Sequence, residues 1–150
     1  MPDIDLTKTL DELEGVPFGE PTYDSHLVKT VCYLYKHKKL SDFTAEDFRI
    51  VIGQKFSLQY LIPPALQLLG KDPWVEGMHY QGDLLSCVLA VSDSYWIQHP
   101  EMVQQALGVI SKACTCPIEY LREECQCYNM ADFLRRHAPG SPYMECAKEL

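Results

Sequence analysis

Apolar residues in this 150-residue chain return at intervals of three and four along almost its whole length, and nowhere do they alternate cleanly with polar ones. That regularity constrains the fold more than any other feature. A 3.6-residue period builds a helix with one buried face, whereas a strand needs a period of two. "LTKTLDELEG" places Leu6, Leu10 and Leu13 on one side, and Gly15 and Pro17 then end the run. In "DSHLVKTVCYLYKHKKL" the inward stripe is Leu27, Val31, Leu34 and Tyr35, with Asp24 or Ser25 as the cap. Its closing lysines suit the negative end of a helix dipole. "FTAEDFRIVIGQ" sets Thr44 three residues before Asp47, close to a capping box, ahead of Phe48, Val51 and Ile52, with Gly53 placed to terminate. Hairpin dipeptides such as Asn-Gly do not occur. The expected architecture is all-α: a compact single domain over residues 1–150, with six to eight helices and a tail that frays beyond about residue 140.

Three stretches complicate this pattern. In "YLIPPALQLL", Pro63 and Pro64 cannot both sit unperturbed inside a helix, so the helix kinks there or begins at Pro63. "HPEMVQQALGVISKAC" starts with Pro100 at its first position and shows Met102, Val103, Ala106, Leu107 and Ile110 on one face. "CPIEYLREECQCYNMADFLRRHAPG" reads as one long helix or as two broken near Asn129.

Apolar residues at 47% and charged ones at 23% match an ordinary globular chain. No segment approaches the ~18 consecutive apolar residues that a membrane span needs. The first residues lack the basic-then-apolar order of a secretion signal, so a cytoplasmic protein is expected. Seven cysteines leave at least one thiol unpaired. Cys114 and Cys116 ("CTC") with Cys125 and Cys127 ("CQC") supply enough thiolates for a structural zinc. Their spacing argues against it, since on a helix Cys125 and Cys127 would point about 200° apart. The expectation is reduced thiols, with no metal and no cofactor. The competing zinc or redox module would bind about one metal ion per chain.

Charge is unevenly spread. Residues 1–24 hold seven acids against Lys8, a net of −6, and residues 25–55 hold six basic groups against three acids, a net of +3. Residues 56–111 return to −4, and the whole chain is −8. Such a chain repels phosphates, so direct nucleic-acid binding is not expected, but it can be steered towards a basic protein. Catalytic signatures are absent: no G-x-S-x-G, no H-E-x-x-H, no P-loop and no G-x-G-x-x-G. The five histidines lack ligand spacing. His79 alone lies in a glycine-flanked turn near acids, Glu76 and Asp83, where a general base is conceivable. The plainer reading of "EGMHYQGDLL" is that Asp83 caps a helix starting at Leu84, Gly77 and Gly82 allow the turn, and Trp74 and Tyr80 pack inward. No enzyme is expected.

"LDELEG", "GEPTYDSHLV", "FTAEDFRIVIGQ", "YLIPPALQLL" and "EGMHYQGDLL", in this order and spacing, resemble the immunity proteins of bacterial contact-dependent growth inhibition systems. The resemblance covers roughly residues 8–90. It implies a small cytosolic binder that occupies the active site, or a nearby surface, of a cognate toxin C-terminal domain. Many such toxins are nucleases with basic clefts, so a heterodimer held partly by acidic surface is expected. Candidate toxin contacts are Asp11, Glu12, Glu14, Glu20 and Asp24 near the start, and Glu76, His79, Tyr80 and Asp83 in the turn. Gly53, Gln54, Pro63, Gly82 and Leu84 read as structural. The alternative is a helical adaptor or regulatory module that binds some other protein.

Overall fold

Side-chain oxygens set where the first helices begin. In the computed structural model, which describes residues 3–21, 24–115 and 129–149, Thr9 Oγ1 accepts the Glu12 N–H at 3.3 Å while the Glu12 carboxylate takes the Thr9 N–H at 3.2 Å. This capping box starts α1 at Leu10 (Leu10–Glu14). Leu6 therefore lies in the turn before the helix, although the apolar spacing included it. Gly15, at φ 78°, closes α1 in a conformation that suits glycine. Ser25, not Asp24, caps α2 (His26–His37), and a 3-10 turn follows at Leu40–Asp42. The Thr44–Asp47 pair forms a full capping box for α3 (Ala45–Gly53), each such cap being worth about 1 kcal/mol. Then come α4 (Leu58–Lys71), α5 (Asp83–Leu89), α6 (Asp93–Gln98), α7 (Pro100–Cys114), α8 (Met130–His137) and α9 (Met144–Glu149).

Among the described residues six helices have seven residues or more and three are shorter, with no strand, as the all-α expectation required. No helix among them is long and apolar enough to cross a membrane.

Helix α4 is the central element. It packs against α3 on one side and α7 on another, and α3 also packs against α5. Leu61, Ile62, Pro63, Pro64, Ala65, Leu66 and Leu69 are all buried on it. The helix does not begin at Pro63, because it runs from Leu58 through both rings. Pro63 and Pro64 cannot donate to the carbonyls of Gln59 and Tyr60, and burial of the two rings outweighs those missing bonds. Lys112 Nζ on α7 reaches the carbonyls of Gly70 at 2.7 Å and Lys71 at 3.3 Å, covering acceptors that the end of α4 leaves open.

Trp96 on α6 is buried, donates its ring N–H to the Val91 carbonyl at 3.0 Å and meets Phe133 of α8 edge-on at 5.1 Å. Helix α8 begins directly after Asn129, where a break was one of the two expectations, and residues 116–128 lie outside the described part. Beyond Gly140 the described chain forms α9 and packs on the body. Ala147 is buried on α9, and Tyr143 accepts a hydrogen bond from Ser111 of α7 at 2.9 Å.

Candidate partner-binding surface

Asp11 accepts the backbone N–H of Phe18 at 2.9 Å, which folds the loop after α1 back over the body. Gly19, at φ 106°, lets the chain turn there. The Phe18 ring then stacks on Tyr35 of α2 at 4.3 Å and meets Phe56 at 5.5 Å. Phe56 comes from the turn between α3 and α4, flanked by Lys55 at φ 64° and Ser57 at φ 52°. Two non-glycine residues in the left-handed region are strained, so the surroundings must hold them. They are held by a polar chain in which the Tyr35 hydroxyl contacts the Ser57 hydroxyl and Ser57 donates to the Glu14 carboxylate at 2.9 Å. Burial, reinforced by the Glu14 and Asp11 charges, pushes the Tyr35 phenol above its ordinary value.

Between these elements runs a groove of about 370 Å³, lined by Phe18, Leu27, Val28, Val31, Cys32 and Phe56, with Glu20 and Gln54 at its edge. Phe18 is 38% exposed, and Leu27 and Phe56 are each 42% exposed. Single exposed apolar side chains are normal, but three around one groove mark a contact surface. Leu27 was expected to face inward; instead it sits in the first turn of α2 and is left exposed among the described residues. Phe18 and Phe56 line this groove without having been singled out from the sequence, and Gln54 was read there as structural. Phe18 gave a faint signal as a bulky aromatic in a loop broken by two prolines and glycines, but Gln54 and Phe56 gave none.

Of the first candidate group, Glu20 lines this groove, and the others lie on the segments beside it. Asp11 and Glu14 hold the loop and the turn, Glu12 completes the α1 cap, and Glu20 and Asp24 pair with Lys36 and Lys29 of α2. Lys36 beside Glu20 holds its carboxyl below the ordinary range. The acidic segment and the lysine-bearing helix are thus one surface, not two opposed faces. Counting Lys29 and Lys36 with residues 1–24 reduces the net charge there from −6 to −4.

The second group is divided by burial. Asp83 is 3% exposed, and its carboxylate accepts the N–H groups of Gly77 at 2.7 Å and His79 at 3.1 Å. It does not cap α5. Gly82, at φ 98°, takes the cap position and Asp83 the first helical one, so the carboxylate turns back into the loop. A Cβ at Gly77 would lie 2.9 Å from that carboxylate and 3.0 Å from Glu46 Oε1. Arg49 pairs with Glu46, and the Asp83 charge further favours its guanidinium. The "FTAEDFRIVIGQ" and "EGMHYQGDLL" strips are therefore docked on one another. Glu76 and His79 are exposed and Tyr80 is half-buried. Asp83 binds the backbone N–H of His79 and not its ring, the reverse of what a general base would need. Glu46 lies in the first turn of α3 and Gln54 just past its end, so the two groups are separated by about 12 Å along that helix.

Cys87, on α5, donates to the Arg49 carbonyl at 3.6 Å, and burial pushes its thiol up to about 11. A raised thiol pKa leaves stability intact below the unfolded value of 9.0 and removes it as pH climbs through 9 to 11, because the unfolded chain ionises first. Urea titrations across that window should lose about 2–3 kcal/mol more in the wild type than in Cys87→Ala. Parallel curves would show that this thiol is not shielded.

Among the described residues no cluster of three or more His, Cys, Asp or Glu side chains could hold a metal ion. Cys114 is buried with its sulfur 3.8 Å from that of Met130, while Cys116, Cys125 and Cys127 lie outside the described residues.

Fold and surface define the class: an all-helical protein whose exposed chemistry is an aromatic-lined groove beside an acid-rich N-terminal segment. The chain belongs to the CDI immunity proteins, the immunity components of contact-dependent growth inhibition systems, and that family matches residues 12–106. The match begins inside α1 and ends inside α7, taking in the groove, the 54–57 turn and the Asp83 loop. No curated protein and no solved structure matches the chain.

Proposed function

We propose that this immunity protein neutralises its cognate toxin by seating the toxin domain on the groove between the 15–20 loop, α2 and Phe56. The observation that carries this reading is the convergence of Phe18, Leu27 and Phe56, each more than a third exposed, around one groove with Glu20 in its lining, while Asp11, Glu12, Glu14 and Asp24 lie on the neighbouring α1 and on the approach to α2. Desolvated aromatic anchors supply most of the affinity in such interfaces, and the surrounding charges supply speed and selectivity. The proposed partner is a basic domain, a nuclease whose phosphate-binding cations meet carboxylates in place of nucleic acid, and the product is a heterodimer formed in the cytoplasm. Glu76, His79 and Tyr80 form a second, outer contact at the far end of α3. Asp83 is reserved for the fold.

Co-expression with the toxin domain encoded next to this chain should restore growth and give a co-purifying complex. Association should slow about tenfold or more between low and physiological salt, while dissociation changes little. Stopped-flow mixing at two ionic strengths measures both. An association rate indifferent to salt would remove the carboxylates from the encounter and leave only apolar docking.

A further inference from the structure

On the other side of the 54–57 turn lies a second depression, of about 340 Å³, between that turn with the first residues of α4 and helix α6. Its chemistry is unlike that of the groove. The lining includes Glu14, Lys55, Gln59, Ser94, Tyr95 and Gln98. Phe56 lines the groove while Lys55 and Ser57, the two strained residues on either side of it, line this recess. One short turn is thus the wall between an apolar depression and a polar one.

Two features of the recess ask for a donor. Glu14 gives one carboxylate oxygen to Ser57 and makes no ion pair among the described residues. Tyr95 is buried, and its hydroxyl, itself shielded from solvent, has no hydrogen-bond partner among the described residues, which ordinarily costs free energy. Amide oxygens of Gln59 and Gln98 and the Ser94 hydroxyl add neutral acceptors. Among the described residues the lining holds one lysine, Lys55, which is exposed on a flexible stem that can swing aside, and His99, whose Nδ1 is engaged with the Tyr95 carbonyl at 2.8 Å.

Building on the docking reading above, we infer that this recess receives an arginine or lysine side chain of the toxin, with Glu14 as its counter-ion, while an apolar toxin side chain enters the neighbouring groove. The turn then works as a two-sided key: an aromatic ring faces one toxin anchor and a carboxylate-bearing pocket faces the other. A planar guanidinium suits this lining, because it can bond a carboxylate and neighbouring amide oxygens together.

The test measures binding of the full-length chain to the inactivated toxin domain from the neighbouring gene. Glu14→Gln keeps an oxygen for Ser57 but removes the charge, and should weaken binding by about 10- to 100-fold with a shallower salt dependence. Ser94→Trp fills the recess without touching Glu14 and should weaken binding comparably. Lys55→Ala removes the competing cation and should tighten binding a few-fold. Melting curves matched to wild type show that each variant is folded. If the wild type binds the toxin but Glu14→Gln and Ser94→Trp bind equally well, the recess is not occupied and the inference falls while the groove survives. Weaker binding by Lys55→Ala would indicate an anionic occupant and also overturn it. Failure of the wild type to bind would remove the docking reading itself.

Discussion

Asp83→Ala should lower folding stability by about 2–4 kcal/mol, although Asp83 lies too deep to meet a partner. Its buried carboxylate accepts two backbone N–H groups, from Gly77 and His79. Hydrogen bonds to a charged acceptor are worth about 1.5–3 kcal/mol each in favourable cases, and donors left without a partner add their own penalty. Arg49 and Glu46 would also lose a neighbouring charge. Asp83→Asn, which keeps the shape but turns one acceptor into a donor, should cost roughly half as much. Urea denaturation reads both, and an Asp83→Ala midpoint within error of wild type would mean that the loop does not depend on this carboxylate. The same variant should bind toxin normally below its melting temperature. That separates a residue that shapes the protein from one that meets the toxin.

The largest effect on binding should come from Phe18→Ala combined with Phe56→Ala. Truncating well-seated aromatic anchors costs about 2–4 kcal/mol, so toxin affinity should fall by about 30- to 1,000-fold. The rings touch at 5.5 Å, so the two single substitutions will not simply add. Both side chains are well exposed, and folding stability should fall by no more than about 1–2 kcal/mol. Calorimetric titration of the double variant decides the matter: affinity within threefold of wild type would place the interface elsewhere.

The parts of this protein that were legible in its sequence are those written locally. The Thr44–Asp47 capping box, the buried stripe of Val31, Leu34 and Tyr35, and Pro100 at a helix start all depend on residues within a turn or two of one another. Features that depend on distant partners were not legible. Pro63 and Pro64 stay inside a helix because tertiary burial compensates for them. Asp83 turns away from its own helix because Gly77 and His79 offer N–H groups. The approach to α9 is tied to α7 by Ser111, which donates to Tyr143 from 32 residues away. Charge was the least readable property. Asp24 and Glu20 looked like free acids until the fold set Lys29 and Lys36 beside them. Leu27 followed the apolar period faithfully but is left exposed among the described residues, which is how a groove arises in a chain with an otherwise regular pattern.

The left-handed turn at Lys55–Ser57 has an evolutionary corollary. Because a few consecutive residues border two depressions of opposite polarity, an exchange of side chains there would rewrite both halves of the recognition code while α3 and α4 stay in register. Paralogues facing different killers could diverge chiefly at this bend and at the loop stacked on it. Grafting those two short stretches between relatives is the smallest change by which one guardian could be retargeted to another's adversary.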